Sequence, residues 1–119
     1  MALTKTFSNS VAPGTSVAAA GNLQGSTVAT AGAYEASVFL SIATISTAPT
    51  APCVGTVYAS SDGANYYIQG SLVGSVAAST TMTAIVPLDD TTIDTYVIFT
   101  GNTGSAVTVG AQVGLITGV

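Results

Sequence analysis

Residues Ser60-Ser61-Asp62-Gly63-Ala64-Asn65-Tyr66-Tyr67 sit between two runs in which apolar and small polar residues alternate. An Asp-Gly pair in that setting is among the stronger short-range signals for a β-hairpin. Asp accepts hydrogen bonds from nearby backbone, and Gly supplies positive φ at little steric cost. The arms are residues 53–60 and 65–70. A chain built around such a hairpin must find sheet partners for both arms, and period-2 runs elsewhere in the sequence supply the candidates.

Residues 34–46 form the longest run. Tyr34, Ala36, Val38, Leu40 and Ile42 fall on one face, and Glu35, Ser37, Phe39, Ser41, Ala43 and Ile45 on the other. Alternation without an i, i+3, i+4 stripe predicts a strand. Phe39 and Ile45 make the second face only partly polar, which points to cover from a loop or another subunit. Short strands are predicted at 16–20 and 23–30, parted by Gly21-Asn22, and at 79–86, closed by Pro87. Residues 93–100, apolar on both faces, read as a fully buried central strand. Residues 106–117 supply the last strand after the turn at 101–104. Residues 47–52 (two prolines), 72–78 and the acidic stretch 88–92 read as connections. The division is an N-terminal arm at 1–14, with Pro13-Gly14 as a turn and an edge strand at 4–8, then one β-sandwich domain at 15–119. The predicted fold is all-β: an antiparallel, jelly-roll-like sandwich of about eight strands.

Only 5% of the 119 residues are charged, against about 25% in typical globular domains. Lys5 is the one basic side chain, against Glu35, Asp62, Asp89, Asp90 and Asp94. Phosphate neutralisation needs Lys and Arg, so no nucleic-acid partner is expected, and an anionic membrane surface is excluded on the same ground. No run approaches the roughly 18 to 20 apolar residues of a spanning helix. The first ten residues carry no basic-then-apolar signal pattern. A surface of Thr, Ser, Gly and Ala is poorly protected against association, so a homo-oligomer is expected.

The same inventory argues against an enzyme. Without histidine there is no Ser/His/Asp or Cys/His arrangement. Cys53 stands alone and reads as a small buried hydrophobe. Zinc would have one thiolate and no imidazole. Asp89, Asp90 and Asp94 do not follow EF-hand spacing, and whether that loop takes calcium stays open. No cofactor and no metal are expected. Tyr66 and Tyr67 could stack on a sugar, but alternation turns one inward, and packing across the hairpin against Tyr58 is the simpler reading.

Three pieces, taken in order, resemble a group of small phage and prophage virion proteins. They are Val57-Tyr58-Ala59-Ser60-Ser61-Asp62-Gly63-Ala64-Asn65-Tyr66-Tyr67, Tyr96-Val97-Ile98-Phe99-Thr100-Gly101-Asn102-Thr103-Gly104 and Ala106-Val107-Thr108-Val109. The resemblance covers roughly residues 34 to 119, with Tyr66 where that group has tryptophan. It implies a β-sandwich virion component. The expectation drawn from it is a capsid decoration (cement) protein on the phage head, assembled in the host cytoplasm. It would be a homotrimer bridging major capsid protein subunits without catalysis. Leu3, Lys5, Phe7, Phe39 and Ile45 are the candidate contact residues. The alternative is a tail or fibre domain that binds host surface carbohydrate through an exposed hairpin tyrosine.

Overall fold

In the computed structural model, which describes residues 3–118, the alternating runs become nine strands and no helix forms among the described residues. They are β1 (Leu3–Val17), β2 (Asn22–Gln24), β3 (Val28–Ala29), β4 (Glu35–Thr44), β5 (Val54–Ser60), β6 (Tyr67–Val73), β7 (Thr81–Pro87), β8 (Asp94–Thr100) and β9 (Val107–Gly118). One sheet has the order β1-β9-β4-β7; the other runs β2-β8-β5-β6, with β3 also on β8. All pairings are antiparallel. If β2 and β3 are counted as one interrupted strand, the two sheets interleave eight strands in the double Greek key of a jelly roll.

That interruption explains nine strands against the expected eight. Between β2 and β3 the chain keeps one bond to β8 of its own sheet, Gly25 N–H donating to Val97 O (2.7 Å), and then reaches the other sheet, Ser26 N–H donating to Ser10 O on β1 (2.8 Å). Buried Ser10 completes the link, its Oγ donating to Ser26 O (2.8 Å) and accepting from Val97 N–H (3.2 Å).

Inward side chains follow the alternation. Val38, Leu40 and Ile42 on β4 lie against Val57 on β5, Val97 and Phe99 on β8, and Val107, Val109 and Val113 on β9. Gly55 faces Phe99 across the β5–β8 pair, and a Cβ there would stand 2.6 Å from the Phe99 ring. The largest core side chain fits only because that position has none.

Three sequence expectations change. Residues 93–100 are central in their sheet, yet only Thr95, Val97 and Phe99 are buried, while Asp94, Tyr96 and Ile98 are half-buried on the outside. A two-layer sandwich has no third layer to cover them. Pro13-Gly14 does not end the first strand. β1 runs the length of the expected arm, along the sheet edge, with register shifts between Asn9 and Val11 and between Val11 and Thr15. Proline is tolerated at such an edge irregularity, and Gly14 (φ +82°) absorbs the bend. Residues 72 and 73, read as connection, extend β6.

Candidate functional site

The turn between β5 and β6 is built from its own residues. Ser60 Oγ accepts from Gly63 N–H (2.9 Å) and donates to Asp62 Oδ1 (3.0 Å). Asp62 Oδ1 accepts from Ala64 N–H and Asn65 N–H, both 2.8 Å, and Oδ2 from Asn65 Nδ2 (2.8 Å). These donors hold the Asp62 carboxyl well below the usual carboxylate range, the backbone N–H of Asn65 most of all. Gly63 takes φ +78°. The connection is six residues long, against the four left between the expected arms, and β6 carries an irregularity where Val57 pairs Gly70 but Tyr58 pairs Ile68.

That irregularity and the longer loop decide where the tyrosines go. Neither points into the core. Tyr66 lies outside, tilted on Tyr96 with centroids 4.9 Å apart, and Tyr96 stacks on Tyr58 at 5.2 Å and 15°. Those three rings use their faces on one another. Tyr67 is 67% exposed and makes no ring pair.

Tyr67 borders the acidic loop. Ile93 N–H donates to Ser60 O (2.8 Å), which fastens the two loops together. Asp89 Oδ1 accepts from Thr91 N–H (2.9 Å) and Thr91 Oγ1 (2.7 Å), and these bonds lower its pKa. Buried Thr30 braces the loop from beneath, its Oγ1 donating to Thr92 O (2.8 Å). Between the loops lies a cleft of about 290 Å³, lined by Ser60, Ser61, Tyr67, Gln69, Asp89 and Thr91, among others. It offers one aromatic ring, an amide, a carboxylate and several hydroxyls. Sequence reading marked Tyr67 but missed Gln69 and Asp89 as its neighbours. Only the β5–β6 register and the Ile93–Ser60 bond bring them together.

Among the described residues, no group of three acids, cysteines or histidines converges to hold a metal ion. Cys53 is fully buried, and burial pushes its thiol up to about 11, so it stays protonated and unreactive at neutral pH.

The five candidate contact residues lie elsewhere. Lys5, Phe7 and Phe39 meet on the outer face of the four-stranded sheet: the Phe rings are 6.1 Å apart, and Lys5 Nζ lies 5.5 Å from the Phe7 centroid. Leu3 continues that row along β1, whereas Ile45 lies just past the end of β4, away from the cluster. Beside Phe39 runs a groove of about 550 Å³, lined by Pro13, Ile85, Gly110 and Gln112 among others. Ile85 was not singled out in the sequence; its pairing with Phe39 puts it on this face.

No protein-family model matches the sequence, and no curated protein matches it. Solved structures do resemble its fold. The K3 cleaved adhesin domain of Lys-gingipain from Porphyromonas gingivalis w83 is 16% identical with a TM-score of 0.54, over 91% of this chain and 71% of that one. A Family 16 carbohydrate-binding module is 14% identical with a TM-score of 0.53, over 87% of this chain and 80% of that one. A chain of infectious bursal disease virus is 4% identical with a TM-score of 0.56, over 97% of this chain but 32% of that one. At these identities the likeness is one of fold.

Proposed function

We propose that this chain is a non-catalytic binding domain that takes up carbohydrate in the cleft between the hairpin and the acidic loop. The observation that carries the reading is Tyr67, whose ring has a free face beside Gln69, Asp89 and Ser61. A sugar ring offers a flat C–H face that packs on an aromatic side chain, and hydroxyls that pair with amides and carboxylates. The Ile93–Ser60 hydrogen bond ties the two loops before any ligand arrives, and each is braced by bonds of its own, which lowers the ordering cost of binding. The fold it shares with an adhesin domain and a carbohydrate-binding module suits this use, although a fold alone assigns no function. The setting that fits the sequence resemblance is a phage tail or fibre meeting host surface glycans.

A glycan array tests this. Binding should be lost in Tyr67→Ala and weakened in Gln69→Ala, with the melting temperature of both unchanged. An array without binding, or binding indifferent to both substitutions, would sink the proposal.

A second reading, the capsid decoration protein, rests on the order of the three sequence motifs and on the scarcity of charge. Its test is to add the protein to empty phage heads. Saturating decoration that raises their heat stability supports it, and absence of binding removes it.

A further inference from the structure

The outer face of the four-stranded sheet carries its two charges in one register row. Lys5 on β1 and Glu35 on β4 both pair with Ile116 of β9. They therefore share a face and stand two strand spacings apart, roughly 10 Å, on either side of Ile116, and form no ion pair with each other. Lys5 is the only lysine, and the chain has no arginine or histidine, so no other side chain can neutralise Glu35. Apart from Asn9 and Gln112, the rest of the face is apolar or small. Phe7 is 53% and Ile85 63% exposed, and Gly110, Gly114, Ser37 and Ser41 lie low between them.

We infer that this face packs against the same face of a second copy, about a two-fold axis running along β9. Such an axis exchanges β1 and β4 across the interface. Lys5 then meets Glu35 of the second copy, Glu35 meets its Lys5, and both pairs form at once because the two residues share a row. Phe7 belongs to the row of Gly114 and Ser37, so its ring comes down on the small Ser37 of the second copy. Gln112 and Gly114 lie on the axis and meet their own counterparts. The contact is isologous and closes after two copies. About this axis β1, β9 and β4 lie over β4, β9 and β1 of the second copy, while β7 falls outside the contact. Three strands about 4.8 Å apart, overlapping over ten residues of about 3.3 Å each, make a face of roughly 14 by 33 Å. With side-chain relief added, that is at the small end of specific interfaces, below the ~800 Å² per partner of standard size. The carbohydrate cleft lies off this face, so this pairing and the glycan reading stand or fall separately.

Charge reversal tests the geometry by sedimentation. The wild-type chain should dimerise weakly, at concentrations of roughly a hundred micromolar. Lys5→Glu alone and Glu35→Lys alone should each weaken dimerisation at least roughly tenfold, by setting like charges opposite one another. Mixing the two variants should restore a dimer, now mixed, and the double variant should recover self-association. Circular dichroism of each variant confirms that it is folded. A wild-type monomer at every concentration, a dimer indifferent to both substitutions, or a mixture that stays monomeric would overturn the inference.

Discussion

Two turns, one at either end of β8's neighbourhood, are held by opposite strategies. The turn at 60–66 satisfies itself: Ser60, Asp62 and Asn65 bond to one another and to backbone no more than three residues away. The turn at 101–105 is held from outside. Asn102 is fully buried, and its Nδ2 faces Val17 O (3.2 Å), Ala18 O (3.1 Å) and Ser105 O (3.0 Å). Asn102 O in turn accepts from Ala20 N–H (2.7 Å), and Thr103 O from Thr50 N–H (2.7 Å). One amide thus fastens the end of β1, the approach to β2 and the start of β9. A turn locked by its own side chains can be read from its letters. A turn locked by distant carbonyls reads only as Gly, Asn and Thr.

The comparison is broken most severely at Asn102. Asn102→Ala leaves three buried or part-buried carbonyls without the two amide hydrogens they share, and should cost about 3 kcal/mol in urea unfolding. A loss under about 1 kcal/mol would mean that the two turns are held alike. The glycines make a matched pair. Gly101 takes φ +103°, and a Cβ there would lie 3.2 Å from Pro52 O, so Gly101→Ala should cost about 2 kcal/mol. At Gly63 (φ +78°) the nearest atom to an added Cβ is 3.6 Å away, so only the left-handed backbone is penalised. Gly63→Ala should cost about 1 kcal/mol. Equal losses at the two glycines would remove the distinction between a gripped turn and a free one.

The smallest effect at neutral pH, and the most specific, belongs to Asp62. Its carboxyl titrates lower in the folded chain than in the unfolded one, so the unfolded chain takes up the proton first as pH falls. The stability this provides is complete above the ordinary carboxylate pKa of about 3.9 and drains away below it. Asp62→Asn should flatten the acid limb of a melting-temperature profile between about pH 4 and pH 2, the variant lying somewhat below wild type at pH 7 and meeting it at the acid end. An unchanged acid limb would show that the turn's hydrogen bonds do not depend on the charge.

The same division accounts for what the sequence made legible. The inward set Val38, Leu40 and Ile42 followed from alternation alone, because burial on one face dictates period 2. The sandwich and its jelly-roll-like class followed from strand spacing and turn signals, whereas the order of strands within each sheet did not. The candidate cleft was half legible: Tyr67 stood out as an aromatic beside a turn, but its outward aim depends on a six-residue loop and an irregular β6. Residues 93–100 misled because Tyr96 and Ile98 read as core. In the structure, Tyr96 is covered by other tyrosines rather than by a layer of the fold.

Finally, β9 lies inside its sheet with the first strand on one side and β4 on the other. During synthesis β1 must wait, unpaired along both edges, until β9 has been made. Closure of that sheet joins segments about a hundred residues apart, which is entropically slow. Leu3 and Phe7 stay exposed meanwhile on a chain with little charge to keep copies apart, so slow refolding and concentration-dependent loss to aggregates follow from strand order alone.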